Sequence, residues 1–398
     1  MVEIMHIESD ELLVDAFRLG RKVYESGFRP KHAISIWRGG TPIGQGVDAY
    51  FRFQGLRMHH TAIATSSYQG IGEQGDVVVK GLEHLTRSVC PEDGLLIIDD
   101  VYETGRTIEK VVETLRNSAR RNCPTDIRVA VVHNKNKPDR YKGLPVISLK
   151  DIPEDVWIDY PHELADLVDP NDPTDPLIKE KSPVIHEILH SDGFPVQELE
   201  GTENPLYVSS NDLLLDCMRL GVNIARSGYK PDYLVALWPG GVPSGLCIHE
   251  VFKYFEKKNG SGGSSPDHIA INTTSTHLSY RTDILGLDYL IDRVSHDDEI
   301  LIVDTVFRSG RVASDVVNTL KEVLRRNMDI NKVRIASVYW NPDDKSTWTV
   351  RPFRMEPDYY LKKGEQFVVY PQNPQRFNNP RAALAEYHPE LASVLFGE

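Results

Sequence analysis

The chain has 398 residues, enough for two ordinary domains, and its 40% hydrophobic and 26% charged residues are those of a globular protein. A net charge of −13 argues against a sequence-independent nucleic-acid binder, which needs positive surface, and no apolar run of about 18 residues is present to span a membrane. The acidic start MVEIMHIESDELL lacks the basic-then-apolar pattern of a signal peptide, and Cys90, Cys123, Cys217 and Cys247 keep no CxxC spacing, which together suit a reducing cytoplasm and argue against a zinc site or a disulfide framework.

In chain order, Asp10 to Ser26 reads as an amphipathic helix with Ser9 as its expected N-cap. HAISIW (32–37) is a short buried strand, and RGGTPIG is a loop feeding a helix. TAIATS (61–66) is a strand, DVVVKGLEHL (76–85) is mixed, GLLIIDD (94–100) is a strand, Thr107 to Arg121 is a helix, and RVAVVH (128–133) is a further strand. Strands alternating with helices imply a right-handed, mainly parallel sheet covered on both faces. Ligands of such folds bind at the carboxyl ends of strands, so the loops just after Trp37, Ser66, Asp99 and His133 are expected to face one common site.

The same unit is written twice. DELLVDAFRLGRKVYESGFRPKHAISIWRGGTPIG, from Asp10, returns as NDLLLDCMRLGVNIARSGYKPDYLVALWPGGVPSG, from Asn211, so that Trp37 answers to Trp238. HTAIATSSY returns as HIAINTTST, and LLIIDDVYETGR as ILIVDTVFRSGR, with the offset growing where the second copy carries the longer loop KKNGSGGSSP (257–266), a flexible insertion. Each copy is of domain size, which means a tandem duplication and not a solenoid. DPNDPTDP (169–176) breaks regular structure, and a short helix is expected at His186 to His190. The expected division is a first domain at 1–170, a linker at 171–204 and a second domain at 205–398.

The stretch LLIIDDVYETGRTIEKVVETLR (95–116) carries the chemistry. A buried strand ends in two adjacent carboxylates, Asp99 and Asp100, and a Thr-Gly-Arg-Thr turn leads into a helix. An N-cap with a solvated charge is the ordinary reading. The turn adds more: backbone N–H groups around Gly105, with the Thr104 and Thr107 hydroxyls, form a phosphate cradle that the helix dipole favours. Adjacent carboxylates accept from a vicinal diol or hold a divalent ion beside one. A ligand with a diol and a nearby phosphate is a ribose 5-phosphate.

This pattern resembles the fingerprint of the type I phosphoribosyltransferases: apolar residues, two acids, two variable positions, an acid, then Thr-Gly-x-Thr. WRGG, TSSYQG and DIPEDVWIDYP extend the likeness toward the xanthine-guanine and hypoxanthine-guanine purine enzymes, and it covers both copies. The resemblance implies an α/β chain of two tandem domains of this family, each a mainly parallel sheet flanked by helices. It implies transfer of 5-phosphoribosyl from phosphoribosyl pyrophosphate to an oxo-purine, with Mg2+ as cofactor and pyrophosphate as leaving group.

Roles follow from the same resemblance. Arg38, Gly39 and Gly40 match the pyrophosphate loop, where glycines let the backbone approach the anion and a guanidinium offers paired donors. Ser66, Ser67 and Tyr68 match the start of the loop that closes over the site, and Lys80 is either a pyrophosphate contact or a surface lysine. Thr104, Gly105, Arg106 and Thr107 would hold the 5-phosphate. Lys135 would donate to the oxygen at purine C6, selecting an oxo-purine over adenine, with Lys137 as the alternative. Trp157 would stack on the base and Ile158 would present backbone groups to its edge. Asp99 and Asp100 would serve the diol and a metal, and Asp159 a second metal. Glu103 would remove or steer the proton of the base nitrogen; it stands where the commonest purine pattern has Asp.

The second copy keeps the apolar strands and loses chemistry. Thr305 stands for Asp100, Arg308 for Glu103, Val312 for Thr107, Pro239 for Arg38 and Trp340 for Lys135, while Asp304 and Ser309-Gly310-Arg311 remain. EQFVVYP (365–371) echoes EDVWIDYP with Phe367 for Trp157 and Val369 for Asp159. A degenerate, structural or regulatory domain is expected, serving as a built-in partner subunit in an intramolecular pseudo-dimer, with a further homo-oligomer left open. Two other functions stay open: phosphoribosyl transfer to a non-purine heterocycle, and a non-catalytic regulator that senses phosphoribosyl pyrophosphate.

Overall fold

A computed structural model describes residues 3–70, 73–137, 140–168, 176–201, 205–260, 265–275, 282–342, 354–370 and 372–397; the side chains at 66–70, 73–78, 274–275 and 282–283 are outside that description. The chain divides into two compact units. One is Met1–Asp159 together with Val369–Glu398, and the other is Tyr160–Val368.

The first unit runs β1 (Glu3–His6), α1 (Ser9–Glu25), β2 (His32–Trp37), α2 (Gly40–Phe53), β3 (His59–Gly70), β4 (Glu73–Lys80), α3 (Glu83–Ser88), β5 (Gly94–Tyr102), α4 (Arg106–Ala119), β6 (Asp126–Lys135), β7 (Val146–Ile152) and β8 (Val156–Asp159). Its main sheet has the order β4-β3-β2-β5-β6-β7. Every neighbouring pair is parallel except β3 with β4 at the edge. All six residues of β2 are buried, as expected of a central parallel strand covered on both faces. One covering layer is α4, whose Ile108, Val111, Val112, Leu115 and Ala119 recur at helical spacing and join Ile34, Ile97 and Val129 of the sheet in one core. The chain leaves β2 for β3 on one side and returns to β5 on the other, so the strand order reverses between β2 and β5. The crevice at the carboxyl ends of those two strands is where such folds hold ligands.

The second unit runs α5 (Pro176–Lys181), α6 (Pro183–His190), β9 (Gln197–Glu198), β10 (Leu206–Tyr207), α7 (Ser210–Arg226), β11 (Tyr233–Trp238), α8 (Val242–Asn259), β12 (Asp267–Ser275), β13 (Thr282–Leu285), α9 (Asp288–Ile291), β14 (Ile300–Phe307), α10 (Arg311–Leu324), β15 (Val333–Trp340) and β16 (Tyr359–Lys363). Among the described residues its sheet has the order β13-β12-β11-β14-β15-β16-β9. Counterpart for counterpart, this is the order of the first sheet with β9 added at one edge. Beyond it lie β17 (Val368–Val369), α11 (Pro380–Tyr387) and α12 (Pro389–Phe396).

Several expectations change. Ser9 is the first residue of α1 and not its cap; Glu8 holds that position without a side-chain bond. No loop follows Ser66, because β3 continues to Gly70 and pairs with β4, which takes up the DVVVK run. The short helix expected at His186 begins at Pro183, where Ser182 Oγ accepts from Ile185 N at 3.3 Å. DPNDPTDP lies outside the described residues up to its final proline. Residues 369–398, expected in the second domain, count with the first unit: α12 buries Leu391 against α1, the Phe53 and Phe396 rings meet edge to face at 5.4 Å, and Arg18 reaches Glu390 at 4.0 Å.

Candidate active site

The adjacent carboxylates sit on the last turns of β5, Asp99 partly exposed and Asp100 buried. Asp99 Oδ1 accepts from Asp100 N at 3.1 Å, and Asp100 Oδ1 from Val101 N at 2.8 Å. Burial pushes Asp99 well above the usual carboxylate range, and the neighbouring charge of Asp100 adds to it. Burial raises Asp100 as well, opposed by its hydrogen bonds and by the Arg38 guanidinium. A diol, which donates to both carboxylates, or a cation would relieve the pair.

Directly over the pair lies the loop after β2. The Trp37–Arg38 peptide is cis. A Cβ on Gly39 would run into the Asp100 carboxylate, and one on Gly40 would come within 2.9 Å of Asp99 Cα and closer still to Ile98 O. At Gly40 only glycine fits this approach of one backbone to another. Arg38 is partly exposed, and its carbonyl closes the loop by accepting from Thr41 N at 3.1 Å. Gly39 and Gly40 therefore bring the loop after β2 against Asp100 and Asp99 across the crevice between β2 and β5.

Gly105, at the N-cap of α4, has φ +72°, a left-handed turn that aims the N-terminal end of a 14-residue helix at the same end of the sheet. The Tyr102 and Tyr141 side chains close in on Gly105, and Tyr102 Oη donates to Tyr141 O at 2.6 Å. Thr104 and Thr107 are partly exposed and Arg106 is exposed, so all three can reach a ligand.

Glu103 takes both candidate lysines. Lys137 Nζ donates to its Oε1, and Lys135 Nζ lies 3.8 Å from the same oxygen. Lys135 is nearly buried at the end of β6, whereas Lys137 is a quarter exposed. The sequence alone leaves this pairing invisible, since it depends on β5 and β6 being neighbours in register.

Other expected residues lie on other elements. Trp157, 51% exposed, and buried Ile158 lie in β8, which pairs with β1 in a separate two-stranded sheet in which Ile4 stands opposite Trp157. This ribbon begins four residues past Ile152, whose register partner is Lys135. Asp159 is buried and accepts from His6 Nδ1 at 2.7 Å. Ser66, Ser67 and Tyr68 belong to β3 in backbone, with side chains outside the described set. Lys80 ends β4 opposite Ala64.

Among the described residues, no group of three or more His, Cys, Asp or Glu is placed to hold a metal ion. The hard oxygen donors of Asp99 and Asp100 still suit Mg2+, which binds through one or two carboxylates and completes its shell with water and substrate oxygens.

The second unit keeps the backbone cradle, with Asp304, Ser309 and Arg311, but without the other side chains. Gly310 repeats the left-handed turn at φ +67°, and Gly241 packs on Val303 O as Gly40 does on Ile98 O. Thr305 donates to Gly240 O where Asp100 stands in the first unit. Arg308 lies 4.6 Å above the Phe367 ring. Strand register corrects one equivalence: Tyr102 faces Asn134 and Phe307 faces Trp340, so Trp340 answers to Asn134, and Lys135 answers to Asn341. The lysine is lost either way.

No family model matches this chain, and no curated protein matches it. Solved structures do. A hypothetical protein from Neisseria gonorrhoeae with bound ppGpp is 20% identical, over 42% of this chain and 92% of its own, with a TM-score of 0.34. A purine phosphoribosyltransferase from Pyrococcus horikoshii is 19% identical, over 40% and 93%, with a TM-score of 0.31. The xanthine-guanine-hypoxanthine phosphoribosyltransferase of Helicobacter pylori is 19% identical, over 40% and 92%, also with a TM-score of 0.31.

Proposed function

We propose that the first unit is a Mg2+-dependent phosphoribosyltransferase that moves 5-phosphoribosyl from phosphoribosyl pyrophosphate to an oxo-purine. The observation that carries the reading is the closure of Arg38-Gly39-Gly40 onto Asp99 and Asp100, at the end of the sheet where Gly105 opens α4. Diol acceptors, an anion-binding loop and a helix N-terminus then converge on one crevice, and these are the three demands of a ribose bearing a 5-phosphate and a pyrophosphate.

In this reading the Thr104–Thr107 turn fixes the 5-phosphate, and Asp99 and Asp100 fix the ribose hydroxyls. Arg38 and the Gly39–Gly40 backbone meet the pyrophosphate as the C1–O bond breaks and negative charge gathers on it. A metal ion held by Asp99 and Asp100 would supply further charge neutralisation on that leaving group. A ring nitrogen of the base forms the new bond to C1, and its proton passes to Glu103. Positioning of both partners contributes about 7–11 kcal/mol in well-oriented reactions. Lys135 reads the carbonyl at C6.

One observation favours a different acceptor. Glu103 engages both lysines, so the donor that would read a purine carbonyl is shared with the group that takes the proton. A non-purine heterocycle that satisfies this cluster is the second reading.

The test is a screen of bases with Mg2+ and phosphoribosyl pyrophosphate, read as pyrophosphate release. An oxo-purine is expected to be used and adenine refused. Asp99→Asn with Asp100→Asn is expected to keep the fold and lose most turnover, whereas Asp304→Ala in the second unit, proposed to be non-catalytic, leaves turnover nearly unchanged. Full activity in the double variant, or loss of activity in a folded Asp304→Ala protein, overturns the assignment.

A further inference from the structure

Three polar side chains that the chemistry above does not use lie buried beneath the phosphate-binding loop. Ser35 is in β2, His60 in β3 and Asp48 in α2. Ser35 Oγ and His60 Nε2 are 2.8 Å apart, and His60 Nδ1 faces Asp48 Oδ1 at 3.9 Å. Asp48 Oδ2 continues to Arg52 Nη2 at 2.7 Å. Ser35 and His60 are wholly buried and Asp48 is 2% exposed, so none can touch a ligand. Burial pulls the His60 pKa down, which keeps the ring neutral. The Asp48 carboxylate favours the proton on Nδ1, so Nε2 is the acceptor and the Ser35 hydroxyl donates to it.

We propose that Ser35, His60 and Asp48 form a positioning network that sets the Arg38–Gly40 loop against Asp99 and Asp100. The inference rests on the reading of the first unit as a phosphoribosyltransferase. Two observations point beyond ordinary satisfaction of core polar groups.

The first is mechanical. Helix α2 approaches β2 closely at Gly44, where a Cβ would run into Ser35 Oγ and come within 3.0 Å of the His60 ring. One turn earlier, about 6 Å along the axis, the same helix begins at Gly40 against Asp99. A tilt of α2 permitted at the network therefore moves the loop over the carboxylates. A misplacement of about 1 Å is enough to cost on the order of a hundredfold in rate.

The second is internal to the chain. The second unit has a glycine, Gly245, at the position of Gly44 in the repeat, and keeps the histidine as His268, whose partner Leu234 matches the Ala33 that faces His60. It has Ala236 in place of Ser35 and His249 in place of Asp48, and the His249 and His268 rings lie 4.3 Å apart. A folded β-α-β unit of this type therefore stands without the network. The copy that dispenses with it is the copy that has also replaced Arg38, Asp100 and Glu103.

The experiment uses the full chain with Ser35→Ala, which removes one oxygen atom, and with His60→Leu. KM is measured separately for phosphoribosyl pyrophosphate and for the base, alongside Tm. The phosphoribosyl pyrophosphate KM is expected to rise about tenfold or more while the base KM stays within about twofold, and His60→Gln, whose amide oxygen still accepts from Ser35, recovers most of the loss. A fall in Tm with both KM values unchanged, or moving together, reduces the network to packing and overturns the proposal. Calorimetric binding of Mg2+ with pyrophosphate separates the two readings. If the native chain binds pyrophosphate and Ser35→Ala binds it equally well, only the network fails. If the native chain neither binds pyrophosphate nor turns over any base, the function fails and the network with it.

Discussion

His133 shows how single side chains tie stability to pH. It is wholly buried in β6, and its pKa falls to about 4, chiefly through burial and then through the Lys150 ammonium, with Asp15 and Glu11 opposing from α1. Burial lowers His32 and His60 as well. An unfolded histidine titrates near 6.5, so in the window from about 6.5 to about 4 the unfolded chain binds more protons than the folded one. Stability is then present above the window and is lost as pH falls through it. Asp99 and Asp100 act in the opposite sense, because their raised values make the folded chain the better proton acceptor on acidification. Comparison with His133→Gln separates the two. The native chain is expected to lose Tm more steeply than His133→Gln between about pH 6.5 and pH 4; parallel curves by calorimetry would remove His133 from the account.

At the scale of elements, the loop between β2 and α2 is fixed by what a glycine lacks. Gly39→Ala places a methyl group inside the Asp100 carboxylate, so either the loop lifts from β5 or the carboxylate is turned out of place. Turnover is expected to fall by about a hundredfold, as a 1 Å displacement of a binding loop implies. Gly201→Ala, which meets nothing nearby, serves as the control, and equal activity of the two variants would contradict the close approach. Much of this part was legible in the sequence: a buried run ending in Asp99-Asp100 and a Gly105 turn before a 3.6-residue period need only local rules. The β1–β8 ribbon was not, because EIMH and VWID are four residues each and find each other across some 150 positions. The β3–β4 hairpin was blurred by VVVK running straight into a helix. The pairing of Glu103 with Lys137 joins the segments that follow β5 and β6, that of Ser35 with His60 joins β2 and β3, and no local pattern marks either. Ser9 was misplaced by one residue, within the usual fraying of helix ends.

At the scale of the molecule, the first unit is built from two separated stretches of chain. Its last piece, α11 and α12, carries Leu384 and Leu391, both wholly buried, and sets His388 3.8 Å from Asp10 of α1. Removal of 369–398 is expected to destabilise the first unit by several kcal/mol, since burying one large apolar side chain is worth about 1.5–3 kcal/mol. Limited proteolysis and Tm of a chain ending at 368 would check this, and an unchanged melting transition for the first unit would refute it.

That return of the chain also sets a schedule. A ribosome adding about 5–20 residues per second needs roughly 10–40 s to make the intervening stretch of about two hundred residues. Throughout that interval the face of α1 that α12 will cover is bare. The first unit to be synthesised is thus the last to be finished. The nascent protein passes through a stage in which the unit that has kept the candidate chemistry waits on the completion of the one that has not.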